Sequence, residues 1–406
     1  MSRLFGTDGI RGVANTELTP ELAFRVGRAG AAVLAGACDA SQPIVVGRDT
    51  RLSGTMLEAA VVAGITSVGR EVLLLGVVPT PAVAFIARSI GAAAGVMISA
   101  SHNPIEDNGI KFFAGDGFKL PDEIEDAIEA RLDDPTLARP THAAIGTARS
   151  GGDLVDRYVG ALAHNAGDLS RLTIVVDAAY GAAYVIGPEI FKLLGADVVA
   201  LNAEDDGRKI NVECGATHME TIARAVGELI ASGKKNVVGV AFDGDADRAL
   251  FVDETGAILT GDHVLMILAR ERKARNALPG EGVVGTVMAN LGLERALAMD
   301  GIALIRTPVG DRYVLDAMRS GGYELGGEQS GHTIDFAWNT TGDGPMTAVS
   351  LFSIVAERGS LHELGRDLRV YPQTLVNVRV SDRDVLEKNP AIGVAIDQAR
   401  AQLGDG

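Results

Sequence analysis

Residues 97–111 read MISASHNPIEDNGIK. They close a run, Ala94-Gly95-Val96-Met97-Ile98, that is short and wholly apolar, as expected of a strand buried on both faces. Pro104 has no N–H to give a ladder and pushes Asn103 out of helical space, so the chain turns there. Ser101 and His102 therefore stand at the mouth of a strand, which in an open α/β sheet is where ligands bind. The same residues also read as an ordinary solvated turn. The rest of the chain has to decide.

Ahead of this stretch, strand-like runs over 43–47 and 71–75 alternate with helix-like runs over 55–68 and 81–88. The alternation restarts with strands at 172–176 and 197–200 flanking a helix at 182–194. It restarts again with strands at 282–288 and 302–305, a helix from Leu291 and another after Gly310. Three restarts predict an α/β fold of three similar domains, each a mostly parallel sheet covered on both faces. A linker over 132–152, rich in Pro, Gly, Ser and Thr, and boundaries near Thr255-Gly256 and 357–367 divide the chain into 1–150, 151–256, 257–366 and 367–406. The last part offers one strand over 374–380 and one helix over 391–403, too little for a core, and reads as an incomplete fourth α+β domain.

With 406 residues, 47% of them hydrophobic, the chain can bury several cores. A formal charge of −16 repels nucleic acid and anionic membranes, leaving small molecules and proteins as partners. Cys38 and Cys214 match no disulfide framework or zinc spacing, which fits a reducing cytoplasm; each is expected as a small buried hydrophobe. The opening MSRLFGTDGIRG lacks a secretory h-region, and the longest apolar stretch, 72–87, is broken by Pro79 and Pro81. A soluble, cytoplasmic protein is expected.

Asp243-Gly244-Asp245-Ala246-Asp247-Arg248 follows a strand over 236–242. Three carboxylates separated only by Gly and Ala converge if the loop curls, and hard oxygens of this kind suit Mg²⁺ or Ca²⁺. With Glu254 they nearly spell an EF-hand, but its sixth position demands Gly and here is Arg248, and 249–252 reads as a strand, not a helix. A cation at this loop bears on Ser101, whose hydroxyl is a weak nucleophile unless a base or metal activates it. No G-x-S-x-G elbow surrounds it, so a phosphoserine beside Mg²⁺ fits better than a hydrolase triad.

Two further loops suit ligands. Gly326 to His332, GGEQSGH, sets Glu328, Ser330 and His332 between glycines, a layout for reading sugar hydroxyls or simply a flexible loop. Arg11, among the glycines of GTDGIRG, can meet an anion together with the backbone. Arg48 and Arg51, around Asp49, are expected to fix their loop through an Arg–Asp pair.

Four loops in this order, FGTDGIRG at 5–12, SASHNPIEDNGIKFF at 99–113, DGDADR at 243–248 and GGEQSGH at 326–332, resemble the α-D-phosphohexomutase superfamily and within it the bacterial phosphoglucosamine mutases. The resemblance implies three related α/β domains and a smaller fourth around a central cleft. It implies a phosphorylated Ser101 and one Mg²⁺ per chain, held by the phosphoserine and by Asp243, Asp245 and Asp247. Arg11, His102, Lys111 and Arg248 would surround the transferring phosphoryl group, and Glu328, Ser330 and His332 would bind the sugar. The implied reaction interconverts glucosamine 6-phosphate and glucosamine 1-phosphate through glucosamine 1,6-bisphosphate, supplying UDP-N-acetylglucosamine and cell-wall precursors, in a possible homodimer. Phosphomannomutase or phosphoglucomutase activity is the alternative within the superfamily. Members carry a fourth-domain loop rich in Arg, Ser, Gly and Thr that grips the non-transferring phosphate, expected just after residue 403. The chain stops at Gly404-Asp405-Gly406. A truncated, non-catalytic paralogue acting as a binding partner is therefore the second reading.

Overall fold

The computed structural model describes residues 3–6, 8–35, 41–376, 378 and 389–403. Cys38 lies outside them. Three mixed sheets follow one another along the chain. The first holds β1 (Ile10–Val13), β2 (Ile44–Arg48), β3 (Val72–Val77), β4 (Ala94–Ile98), β5 (Asp107–Ala114) and β6 (Ala148–Ser150) in the order β1-β5-β4-β2-β3-β6. The second holds β7 (Thr173–Asp177), β8 (Asp197–Leu201), β9 (Val237–Phe242), β10 (Ala249–Val252) and β11 (Ile258–Leu259), ordered β11-β10-β9-β7-β8. The third is β13-β12-β14-β15, from β12 (Gly282–Thr286), β13 (Ala303–Thr307), β14 (Leu325–Gly327) and β15 (Thr333–Asp335).

The strand-and-helix alternation builds the parallel part of each sheet. β2 runs parallel to β3 and β4, β7 to β8 and β9, and β12 to β13 and β14. Antiparallel strands complete each sheet: β5 beside β4, β10 beside β9, and β15 beside β14. Each of these joins its neighbour through a loop too short for a helical crossover, so only antiparallel pairing is open to it. The stretch 132–152, read as a linker, ends in β6, which pairs with β3.

Alternation of side chains across the first sheet sorts its core into two layers. Ile44, Val46, Val96 and Ile98 face the helices Pro20–Ala35 and Gly54–Ser67, while Val45 and Met97 face the helix Thr80–Ile90. That second layer is continuous with the core of the other two domains. The helix Gly344–Arg358 threads through it, and its Phe352 lies edge-on to Phe191 and Phe251, with ring centroids 5.6 Å from each. An aromatic of this size buried on both sides contributes about 1.5–3 kcal/mol by area alone, so the three domains share one apolar centre.

Beyond the third sheet, the strand expected over 374–380 is absent from residues 374–376 and 378; residues 377, 379 and 380 lie outside the described ones. A strand exists only where a partner accepts its N–H groups, and the described residues supply none here. The expected helix is present as Pro390–Leu403, without a buried side chain. Among the described residues no helix is long and apolar enough to cross a membrane.

Candidate active site

Three of the loops singled out in the sequence, and the Gly310 turn, lie at the C-terminal ends of strands, the ligand-binding side of such sheets, while the stretch 5–9 leads into β1. Ser101 follows β4, the aspartate loop joins β9 to β10, Gly310 follows β13, and Glu328 sits between β14 and β15.

Ser101 has φ 52°, a left-handed backbone that costs a non-glycine residue about 1–3 kcal/mol. Arg51 holds it there. One guanidinium nitrogen, Nη2, donates to the carbonyls of Ser101 (2.9 Å) and Asn103 (2.8 Å), and Nη1 donates to those of Pro104 and Asp107. Nε donates to Asp49 Oδ2 at 3.1 Å, and both side chains are fully buried. Asp49 also accepts from Ser99 Oγ (2.6 Å), which accepts in turn from the Ser101 N–H (3.0 Å). From the second domain, Asn211 Nδ2 donates to the Ser101 carbonyl at 2.9 Å. Arg51 thus fixes a loop, as expected, and so does Arg48, which bonds the Asp49 carbonyl and faces Glu58 at 3.5 Å.

The aspartate loop is the turn of the β9–β10 hairpin, with Ala246 left-handed at φ 56°. Asp243, Asp245 and Asp247 are buried and each offers an oxygen within 4.8 Å of the others. Asp243 Oδ2 accepts from Ser101 Oγ at 2.7 Å, which joins the two loops. Asp245 Oδ2 accepts from Thr80 Oγ1 (2.6 Å) and Lys111 Nζ (2.9 Å). Asp245 Oδ1 and Asp247 Oδ1 have no hydrogen-bond partner. Buried, unpaired carboxylate oxygens are costly, and a hard divalent cation is the group that three converging carboxylates would satisfy. The electrostatics agree: burial first, then Asp247 and Asp245, push Asp243 up to about 8. Burial also works to raise Asp247, but His332, Lys111 and Arg248 outweigh it and hold that carboxyl below the usual range. Gly244 is required by space, since a Cβ there would lie 2.5 Å from the Ser101 carbonyl oxygen. Glu254, the EF-hand's would-be twelfth ligand, instead accepts from the N–H groups of Leu361 (2.8 Å) and His362 (3.0 Å).

Cationic groups close around Ser101. His102 Nδ1 is 3.3 Å from Ser101 Oγ, and burial, then Arg248, lowers its pKa to about 4, so the ring is neutral. Burial opposes protonation of Lys111 as well, but Asp245 and Asp8 overcome it and the ammonium persists. Arg11, on β1, donates to Asn103 Oδ1 (3.2 Å) and pairs with Asp8. Arg248 points among Asp243, Asp247 and Glu328, whose charges outweigh its burial. Nε of both arginines is buried without a hydrogen-bond partner, which leaves donor capacity for an anion.

The sugar-type loop is stitched to the aspartate loop through the Ala249 N–H, which donates to the Gly331 carbonyl at 3.1 Å. Glu328 Oε1 accepts from the Gly310 N–H at 3.1 Å, and Ser330 is exposed. His332 faces inward, between Asp247 (3.6 Å) and Asp311 (3.5 Å), and a Cβ on Gly342 would strike its ring. Sequence reasoning passed over Asp8, Thr80, Lys119, Asn211 and Asp311. Asp8 lay inside a quoted motif; the others have unremarkable neighbours in sequence and become visible only through their partners.

Family models for phosphoglucomutase/phosphomannomutase α/β/α domains I, II and III match residues 2–139, 156–256 and 260–371. A phosphoglucosamine mutase from Moorella thermoacetica is 51% identical over 99% of this chain and 90% of its own length. A solved phosphoglucomutase/phosphomannomutase family protein from Burkholderia thailandensis superposes with a TM-score of 0.80 at 29% identity, over 91% of this chain and 80% of that one. The N-acetylphosphoglucosamine mutase of Aspergillus fumigatus, solved with GlcNAc-6P and magnesium, shares the fold at 17% identity, with a TM-score of 0.61 over 94% of this chain and 83% of that one. A variant of it has been solved with glucose 1,6-bisphosphate. With all three domain models matched and half its residues identical to a relative over nearly its full length, this chain belongs to the phosphoglucomutase/phosphomannomutase family, among its phosphoglucosamine mutases.

Proposed function

We propose that the chain interconverts glucosamine 6-phosphate and glucosamine 1-phosphate, with Ser101 carrying the phosphoryl group. The observation that carries this reading is the buried junction of Ser101 Oγ with Asp243, beside two carboxylate oxygens without a hydrogen-bond partner and under four cationic or imidazole groups. In phosphoryl transfer the protein's work is positioning and charge neutralisation, and this junction does both. Mg²⁺, held by Asp243, Asp245 and Asp247, would neutralise charge on the phosphoserine oxygens. Phosphoserine gives its phosphoryl group to the 1-hydroxyl of the sugar: the P–Oγ bond breaks, a P–O bond to the sugar forms, and the hydroxyl proton leaves to a base. In-line transfer sets the attacking hydroxyl on the far side of phosphorus from Oγ, so His102, 3.3 Å from Oγ, stands on the leaving-group side, and Lys111 stays cationic against the developing charge. The bisphosphate then turns within the cleft and returns its other phosphoryl group to Ser101. Water must be kept out meanwhile, since it would hydrolyse the phosphoserine. A small phosphosugar substrate and a cytoplasmic setting belong to the same proposal.

Phosphorus NMR of the full chain with Mg²⁺, a trace of glucosamine 1,6-bisphosphate and glucosamine 6-phosphate, with mannose 6-phosphate in parallel, tests the reading. A growing 1-phosphate signal from the glucosamine sample is expected. Equal conversion of mannose 6-phosphate would replace the substrate assignment with the broader hexomutase one.

Two substitutions probe the parts. Asp245→Asn removes a charge that Lys111 and Thr80 already engage, so the site should keep its shape but bind metal more weakly. The Mg²⁺ concentration at half-maximal rate should rise by about 10- to 100-fold, since even outer-shell partners have effects of that size. An unchanged titration would exclude Asp245 as a ligand. Glu328→Ala takes away the acid held by the Gly310 N–H, and the preference for glucosamine over hexose phosphates should fall by about 10-fold or more. If every sugar suffers equally, Glu328 does not set specificity.

A further inference from the structure

Seven side chains, acids and bases in turn, trace a path through all three domains that begins at Asp245 and ends at Asp247 beside it. Lys111 Nζ lies 2.9 Å from Asp245 and 2.8 Å from Asp8. Lys119 Nζ lies 2.6 Å from the other Asp8 oxygen and also pairs with Asp311. Asp311 faces His332, and His332 faces Asp247, which returns the path to the aspartate cluster. Lys111, Asp8 and Lys119 belong to the first domain, Asp311 and His332 to the third, and Asp245 and Asp247 to the second. The step from first to third domain is therefore Lys119–Asp311, whose side chains are only 15% and 17% exposed. Other crossings between these domains include Arg312 to the half-exposed, screened Asp122 at 2.7 Å and to Glu125 at 3.9 Å, with the neutral bonds of Thr340 to the Gly117 carbonyl (2.6 Å) and Asn339 to the Pro81 carbonyl (3.1 Å).

We propose that Lys119 is a positioning residue for the reaction: its ammonium, shared by Asp8 and Asp311, sets the spacing between the groups around Ser101 and the loop that reads the sugar. Asp311 adjoins Gly310, whose N–H holds Glu328, so a shift at Asp311 reaches Glu328 through one residue. Asp8 is bonded to Lys111 and Arg11, so the other end of the bridge is anchored on the phosphoryl side. Removing the ammonium leaves two carboxylates that had shared one nitrogen facing each other as like charges in a poorly solvated place. The edge of the third domain that carries Asp311 then parts from Asp8, pivoting on the contacts that stay: the shared apolar centre and the buried bonds of Thr340 to the Gly117 carbonyl and Asn339 to the Pro81 carbonyl. The proposal rests on the mutase reading for its kinetic part only.

The test compares wild type with Lys119→Met, Lys119→Arg, Asp311→Asn and the Lys119→Met/Asp311→Asn double variant, in KM and kcat for glucosamine 6-phosphate and in the radius of gyration from small-angle scattering without substrate. Lys119→Met should raise KM by roughly 30- to 100-fold with a smaller change in kcat, and should enlarge the radius of gyration. Adding Asp311→Asn removes the repulsion and should recover about 10-fold of that loss, a coupling that a merely stabilising residue would not show. Lys119→Arg, which keeps the charge, should stay close to wild type. An unchanged KM, an unchanged radius of gyration, or a double variant no better than Lys119→Met overturns the proposal. Should Lys119→Met fail to fold, Asp311→Asn alone must raise KM by about 10-fold, and an unchanged KM sinks the idea. A chain inactive on every sugar phosphate would refute the mutase reading, while the scattering comparison would still decide whether Lys119 ties the domains together.

Discussion

Ser101→Ala should lower mutase activity by about 10⁴-fold or more while leaving the protein folded, because the proposed function puts the phosphoryl group on this hydroxyl. The two halves of this expectation come from different contacts. The Oγ hydrogen bond to Asp243 is the only described stabilising role of the side chain apart from its approach to His102. Its loss should cost about 1 kcal/mol, a shift of a few degrees at most in the melting temperature. The loop itself is held by backbone atoms, through the Ser101 carbonyl on Arg51 and Asn211 and the Ser101 N–H on Ser99, and none of these bonds needs the hydroxyl. On incubation with glucosamine 1,6-bisphosphate the wild type should gain one covalent phosphate by intact mass, and the variant should gain none. Activity within 10-fold of wild type, or phosphate still bound covalently, would remove Ser101 from the centre of the reaction.

What the sequence made legible depended on how local each signal was. The apolar runs of β2, β4, β7, β9 and β12 stand out because buried parallel strands need nothing but short hydrophobic stretches. β5, Asp107–Ala114, was hidden by an Asn-Gly pair that signals a turn, and β14 by its two glycines; both strands exist through the partners they pair with. The helix expected over 182–194 begins only at Ile186, because Ala179 and Tyr180 take left-handed φ values and Gly181 packs against the Gly244 backbone. Among the candidate-site residues, the three aspartates and Ser101 were readable from spacing and from the turn that follows β4. Lys119 was not, since its partners Asp8 and Asp311 lie 111 and 192 residues away in the chain. Charge complementarity across domains leaves no periodicity for a sequence to display.

Arg51→Lys should be nearly as damaging to catalysis as loss of the nucleophile, although Arg51 touches no reacting atom. A guanidinium spans Asp49 on one side and four carbonyls on the other with its donors in a fixed plane, whereas an ammonium is a point with three donors and cannot reach both sides. At least two charge-assisted bonds would be lost, about 3–6 kcal/mol in all, with buried carbonyls left unpaired. That loss exceeds the roughly 1–3 kcal/mol by which a left-handed Ser101 is strained, so the residue would relax and carry Oγ away from Asp243. Activity should fall by about 10³-fold, because misplacing a reacting group by an ångström already costs about 100-fold. The melting temperature should fall too, which Ser101→Ala does not require. Adding Ser101→Gly to Arg51→Lys separates strain from clamping: glycine accepts the left-handed backbone freely, so stability should recover by about 1 kcal/mol while the residual activity is lost with the hydroxyl. Wild-type turnover in Arg51→Lys would mean that Asn211 and Ser99 suffice to hold the loop, and a double variant as unstable as the single one would place the damage in the unpaired carbonyls and not in the strained φ of Ser101.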